Sequence, residues 1–319
     1  MICKKRLIHK TPFLFLPKLL ALCTAATVLF GGCQEQIESD GKLNIVATTT
    51  ILADLSNIIG GEYVHVNSLM GPGIDPHLYQ PSAGDVTKMQ HADVIIYHGL
   101  HLEGKMGDIF SSLSEQGYSN ICIEYGLDAS MLLSSEKSSS LYDPHIWFDV
   151  AIWKSAAIHT AMELSVINPE NADAYAANLE EYLLELDSLD RYIQMRIAEV
   201  PENQRILVTA HDAFRYFGAA YGFKVMALQG ISTETEAGTA DVSRLADFIA
   251  ENEIKAIFAE SSVPAKSMEA LQAAVQSRGF EVKIGSALYA DALGDDLSGH
   301  NTLILVIKSN IDTIVDALK

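Results

Sequence analysis

Four cysteines are few for a chain of 319 residues, and their placement leaves fewer still. Cys3, Cys23 and Cys33 lie in the first 33 positions, so the body of the chain keeps only Cys122. One thiol makes no intramolecular disulfide, and no pair exists for a CxxC zinc or redox site. Cys122 sits in the apolar run Asn120-Ile-Cys-Ile-Glu124 and reads as a small core residue. Basic charge is scarce too: 22 Lys and Arg face 41 Asp and Glu, a formal charge of −19. Five of those bases precede Cys33 in a segment without acids, so the remainder carries 17 basic and 41 acidic side chains, or −24. Such a surface repels a phosphate backbone and excludes a general nucleic-acid binder. After position 33 no uninterrupted apolar run reaches about 18 residues, which excludes a multispanning membrane protein. HExxH and GxSxG are also absent, and with them two common frames for a hydrolase.

What stands at the N-terminus reads as an export address. Lys4, Lys5, Arg6, Lys10 and Lys18 accompany an apolar stretch, Leu19 to Phe30, that is short for a membrane span, and Gly31-Gly32 precede Cys33. Residues 1–32 are therefore expected to be a signal peptide. Small residues before a Cys resemble a lipobox, in which the thiol is acylated and becomes the new N-terminus. Phe30 stands where such boxes usually carry Leu. Acylated Cys33 would hold the protein to membrane lipid, with 33–42 as a flexible tether. A plain signal peptide with Cys33 incidental is the alternative.

At 49% apolar residues the chain is too hydrophobic to be disordered, and its length suits two domains. Short apolar runs at 43–47, 64–70, 94–97 and 121–123 are strand candidates, and 51–59 and 149–167 have helical spacing. Alternation of this kind predicts an α/β lobe with a mostly parallel sheet over 43–168. Asn168-Pro169 then starts a different segment, a cap followed by Pro at a first helical position. Apolar residues recur at Tyr175, Leu179, Tyr182, Leu186, Leu189, Ile193 and Ile197 up to Pro201. The spacing predicts one long helix over 169–200, able to bridge two lobes. Strand candidates at 205–209, 224–228, 256–259 and 281–284, with helical stretches at 212–221, 242–251, 266–278 and 302–318, make 201–319 a second α/β lobe. No internal repeat is visible in the sequence.

Three of the ten histidines occupy unusual settings. Asp-Pro-His occurs twice, at Asp75-Pro-His77 and at Asp143-Pro-His145, and His211 follows the apolar run Ile206-Leu-Val-Thr-Ala210. Ligands of open α/β sheets bind at the carboxyl ends of strands and in the loops after them. A Pro before each of the first two histidines restricts the local backbone. Imidazole nitrogens presented in this way suit a divalent transition metal.

Around these residues the chain resembles a known family, the cluster A-I (TroA-like) solute-binding lipoproteins of ABC transporters for manganese, zinc and iron. The matching segments are Gly73-Ile-Asp-Pro-His-Leu-Tyr79, Tyr97-His-Gly-Leu-His-Leu-Glu-Gly104 and Asp143-Pro-His-Ile-Trp-Phe-Asp149 in the first half. In the second half they are Val208-Thr-Ala-His-Asp-Ala-Phe214, Gln229-Gly-Ile-Ser-Thr-Glu-Thr-Glu-Ala-Gly238, Ile257-Phe-Ala-Glu-Ser-Ser-Val263 and Leu288-Tyr-Ala-Asp-Ala-Leu-Gly294. Together they span roughly 43–319. The resemblance implies two α/β lobes bridged by one rigid helix, with a single Mn2+ or Zn2+, or Fe2+, held between them by His77, His145, His211 and Asp291. It also implies no enzymatic activity but delivery of the metal to an ABC permease in the cytoplasmic membrane. The receptor would be an exported monomer, lipid-anchored at the outer face of that membrane or in the periplasm. A surface adhesin, a label attached to this family, and a metallohydrolase using the same histidines are the alternatives.

Glu260 either orients a ligating histidine or caps the next helix. Asp295 and Asp296 compete with Asp291 by position alone. His98, His101 and Glu103 fall in a segment that is a structural loop in the family, and Glu234-Thr-Glu236 reads as a solvated loop. His65, His91, His159 and His300 read as surface, packing or capping residues. Zinc-dedicated members often carry a His-rich loop before the second His motif, whereas 128–142 is Ser-rich and has no His, which favours the manganese or mixed-metal branch. Three nitrogens and one carboxylate nevertheless suit Zn2+, and the Irving–Williams order places Mn2+ lowest. Ligation needs neutral imidazole, so metal affinity is expected to fall as pH drops through roughly 6.5. A titration of affinity against pH checks this; a value flat from neutral to about pH 4 contradicts three-histidine ligation.

Overall fold

The computed structural model describes residues 41–135 and 138–319. The expected signal peptide, the acylation at Cys33 and the tether as far as residue 40 lie outside the described residues. Among those described, no helix is long and apolar enough to cross a membrane.

The N-terminal sheet is formed by β1 (Leu43–Ala47), β2 (Val64–Ser68), β3 (Val94–Tyr97) and β4 (Asn120–Cys122), all parallel, in the order β2-β1-β3-β4. Helices α1 (Thr50–Gly60), α2 (Ala83–Gln90) and α3 (Gly107–Glu115) connect them. The Ser-rich segment adds a short antiparallel ribbon, β5 (Ser134–Ser135) with β6 (Ser138–Tyr142), before α4 (Val150–Ile167). The second sheet comprises β7 (Ile206–Thr209), β8 (Lys224–Ala227), β9 (Ala256–Glu260) and β10 (Lys283–Leu288), again all parallel. Its order, β10-β9-β7-β8, is the order of the first sheet read from the other edge. The two lobes therefore repeat one topology that left no visible trace in the sequence, because strand order depends on how connections cross and not on residue identity. Helices α6 (Arg215–Tyr221), α7 (Thr239–Glu251), α8 (Lys266–Gln276) and α9 (Leu303–Leu318) complete the fold.

Between the lobes runs α5 (Ala172–Ile197), the bridging helix. It begins later than the sequence predicts. Asn168 caps a 3-10 turn at Pro169–Asn171, its side chain accepting the Asn171 N–H at 3.2 Å, and the α-helix follows. Its 26 residues span about 39 Å. Tyr175, Tyr182, Leu186, Leu189, Ile193 and Ile197 form one buried face, which packs on α1, α4 and α9. β10 also lies further along than expected, at Lys283–Leu288, with a register irregularity between Gly285 and Leu288. Helix α3 was not anticipated, and of α2 only a helical pattern at His91 was. Only two of eight residues in α2 are buried, Asp85 and Met89, so it has little apolar periodicity to read.

One apolar cluster runs through both lobes, from Ile45 and Leu52 through Trp153 and Leu186 to Phe214, Leu293 and Ile311. Cys122 is buried, as expected. Polar ties cross the same interface: Leu293 N–H donates to Thr50 Oγ1 at 2.9 Å, and Leu303 N–H, at the start of α9, donates to Asp54 Oδ2 at 2.8 Å. Burial raises the Asp54 pKa to about 6, a shift that the bond from Leu303 opposes and nearby Glu185 reinforces. Because α5 shares the core of both lobes, Leu189→Ala, at a fully buried position, is expected to cost about 2–5 kcal/mol. Urea unfolding measures it, and a loss below about 1 kcal/mol would contradict that packing.

Candidate metal centre

Three of the candidate ligands sit in loops at the carboxyl ends of strands in the two parallel sheets, and His145 follows the short antiparallel ribbon. His77 lies on the loop between β2 and α2, His145 between β6 and α4, His211 two residues after β7 and Asp291 three residues after β10. The loop before His77 turns at Gly73, whose φ of +71° favours glycine and whose missing Cβ would stand 3.5 Å from the Ser261 carbonyl of the other lobe. All four side chains are buried, from 0% exposure for His145 and His211 to 3% for His77. They form a group of donor atoms lying within 4.8 Å of one another.

Carboxylates behind two of the rings decide where their protons sit. Asp143 Oδ1 accepts from both the backbone N–H and Nδ1 of His145, at 3.0 and 2.7 Å. Glu260, the last residue of β9, accepts the His211 N–H with Oε1 at 2.9 Å and the ring Nδ1 with Oε2. Occupying Nδ1 in this way turns each Nε2 inward with its lone pair free. His145 Nε2 then lies 3.3 Å from His77 Nε2 and 3.3 Å from His211 Nε2. Asp291 closes the group, with Oδ1 3.3 Å from His145 Nε2 and Oδ2 3.4 Å from His211 Nε2. Ser262 donates to Oδ2 at 3.2 Å, while Oδ1 is buried without a hydrogen-bond partner among the described residues.

Those four separations match the edges expected around a metal ion, and the other separations within the group lie inside 4.8 Å. A tetrahedron's edge is about 1.6 times its centre-to-vertex distance, so bonds of about 2.0–2.1 Å give edges of about 3.3–3.4 Å. Lone pairs facing one another across such gaps repel unless a cation or a proton lies between them. Three neutral imidazoles and one carboxylate offset one charge of a divalent ion, leaving a net +1; Asp143 and Glu260 just outside carry the sum to −1, and Arg215 Nη1 lies 3.9 Å from Asp143 Oδ2.

Electrostatics separates the three rings. Burial lowers the pKa of His77 to about 3, against an upward pull from Asp291. For His145 burial acts downward too, but Asp143 and Asp291 outweigh it and carry the pKa up to about 9. His211 is likewise lifted well above the ordinary imidazole range by Glu260 and Asp291 against burial. Burial would raise Asp291, yet His211 and His145 hold it well below the usual carboxylate range. The charges of Asp143 and Asp291 thus favour a proton on His145, and a metal ion bound there would compete with that proton, so acid is expected to weaken binding.

A family profile described as zinc-uptake complex component A, periplasmic, matches residues 45–317. The chain belongs to this family. It is 42% identical over 304 residues to the manganese-binding lipoprotein MntA of Bacillus subtilis (strain 168), covering 94% of this chain and 99% of MntA. It is 43% identical over 300 residues to the zinc-binding protein TroA of Treponema pallidum (strain Nichols), covering 94% and 96%. The solved structure of periplasmic TroA from Treponema pallidum superposes with a TM-score of 0.84 at 44% identity, covering 87% of this chain and 99% of that one. A more distant relative, 28% identical over 304 residues and covered to 94% and 96%, is the manganese ABC transporter substrate-binding lipoprotein PsaA of Streptococcus mitis.

Within this family member the four expected ligands converge, and the neighbouring acids do not compete. Asp295 and Asp296 are exposed, accepting from Ser298 N–H and Asn301 Nδ2. Glu260 is no helix cap, since α8 is preceded by Ala265. His98 and Glu103 are buried away from the group: His98 Nε2 pairs with Thr49 Oγ1 at 2.9 Å, and Glu103 accepts from Thr48 Oγ1 and the His98 N–H. His91 and His159 bond to backbone carbonyls through Nδ1 and Nε2 respectively. His300 caps nothing, because Thr302 caps α9. Two contributions went unread in the sequence. The repeated Asp-Pro-His spacing contained the signal for Asp143, two residues ahead of the ring it orients. Trp147, whose Nε1 donates across the interface to Ala290 O at 3.0 Å, gave no local sign of its partner. Glu260→Gln is expected to weaken metal binding about 10–100-fold by loosening His211. Competition against a chromophoric chelator measures it; unchanged affinity would contradict the orienting role.

Proposed function

We propose that the protein captures one divalent transition-metal ion, Mn2+ or Zn2+, outside the cytoplasmic membrane and delivers it to the permease of an ABC transporter. His77, His145, His211 and Asp291 are the proposed ligands, with Asp143 and Glu260 orienting two of the rings. The observation that carries the reading is the set of inward-facing Nε2 and carboxylate oxygen atoms at 3.3–3.4 Å, drawn from both lobes. Four protein ligands make a closed shell suited to capture, whereas a catalytic zinc keeps a position for water. The relatives are named for binding manganese or zinc, and PsaA for service to an ABC transporter. A signal peptide over 1–32 and acylation at Cys33 would keep such a receptor beside its permease, and we take it to act as a monomer. Its lobes would be 43–168 and 201–319, joined by the helical segment 169–200.

Native mass spectrometry after exposure to limiting mixed Mn2+, Zn2+ and Fe2+ tests the proposal. One ion per chain is expected, and the combined His77→Ala, His145→Ala and His211→Ala variant should retain none. Full-strength binding by that variant would remove the proposal.

A further inference from the structure

The three histidines are not held alike. His145 and His211 each have a carboxylate on Nδ1, from Asp143 and Glu260. Among the described residues no carboxylate bonds to the ring of His77. Asp75 nevertheless occupies the place before His77 that Asp143 occupies before His145. It makes the same backbone contact, with Oδ1 accepting the His77 N–H at 2.9 Å. There the likeness ends. Asp143 turns onto its own histidine's ring, whereas Asp75 Oδ2 accepts the hydroxyl of Thr233 at 2.6 Å.

Thr233 belongs to the other lobe, in the loop between β8 and α7. The base of that loop is tied to the His211 segment, with Gln229 N–H donating to Ala210 O at 2.9 Å and Asp212 N–H to Gly230 O at 3.3 Å. The carboxylate that holds the His77 backbone is thus itself held by the lobe that supplies His211. Thr233 is 7% exposed, so water competes weakly for this bond. Beside it opens a cavity of about 260 Å³ lined from both lobes, by Leu100, His101 and Pro144 on one side and by Asp212, Ile231 and Glu234 on the other. Of the four proposed ligands only His77 lines this cavity. A second tie at the same mouth, Lys105 Nζ to Glu234 Oε1 at 3.9 Å, is partly exposed and contributes little.

We propose that Asp75 and Thr233 form a latch that sets the order of release. Closing the lobes completes the bond that fixes His77. Parting them frees Asp75, so that His77 lets go first and the ion leaves through the cavity beside it. The inference rests on the capture and delivery proposed above, and it adds Asp75 and Thr233 as positioning residues.

The test uses the full-length protein loaded with Zn2+ and mixed with excess chromophoric chelator. Thr233→Val, which removes the donor at nearly constant volume, is expected to speed Zn2+ loss about tenfold. Thr233→Ser, which keeps the hydroxyl, should stay within about twofold of the natural protein, as should Lys105→Ala. Amide hydrogen exchange in the loaded protein supplies the second readout. Thr233→Val should raise exchange in a peptide spanning 71–79 and leave one spanning 143–149 unchanged. An unaltered rate of Zn2+ loss in Thr233→Val overturns the latch, as does a serine variant as fast as the valine one, or equal loosening of both peptides. A tenfold effect of Lys105→Ala overturns it too, by assigning the closure to the ion pair. If Thr233→Val does not fold, Thr233→Ala takes its place with the same outcomes. A natural protein that holds no Zn2+ and no Mn2+ overturns the capture function itself, and this inference with it.

Discussion

Two carboxylates standing behind two imidazoles are the constraint on which the centre depends. By taking Nδ1 of His145 and of His211, Asp143 and Glu260 aim lone pairs of both rings at one point from opposite lobes. Without a cation that arrangement is strained by repulsion or filled by protons. The Asp143 and Asp291 charges that lift the His145 pKa are therefore the same charges that favour a metal ion there. Affinity for a cation and affinity for protons have one electrostatic origin in this site, and acid competes with metal for that reason.

The cost of holding such a group together is met by packing elsewhere. A single apolar cluster passes from the first sheet through α5 into the second lobe, and Trp147, Thr50 and Asp54 add polar ties across the interface. A bridge built this way limits how far the lobes part. Motion is then best placed in the loops at the mouth of the cleft, where Asp75 and Thr233 meet, rather than in the helix that joins the lobes. The asymmetry among the histidines has the same logic: two rings are clamped by carboxylates, and the third depends on a contact that both lobes must complete.

Much of this was legible along the chain. The parallel sheets followed from short apolar runs alternating with helical spacing, and α5 from its apolar recurrence over about six turns. Its first residues were misplaced because Asn168-Pro169 caps a 3-10 turn as readily as an α-helix. Helix α2 is short and mostly solvated, so its evidence was local, in Ser82 and Asp85, which cap each other. The centre divides in a similar way. His77 and His145 are marked by Asp-Pro-His and His211 by the strand before it. His98 also follows an apolar strand and is equally buried, yet it pairs with Thr49 at the switch point of its sheet. Nothing in its immediate neighbours separates it from a ligand; only the resemblance did.

The sequence by itself determined most of the elements, the two-lobe α/β class and the three candidate histidines, with Asp291 added by the family resemblance, because apolar periodicity and short motifs are properties of neighbouring residues. The tertiary structure alone decided the pairings that give the centre its character: Glu260 with His211, Thr233 with Asp75, Trp147 with Ala290. Their partners lie tens to more than a hundred residues apart and meet only when two sheets of the same strand order face each other across a shared core. Spacing along the chain does not encode such encounters, since they depend on how packed layers close in space.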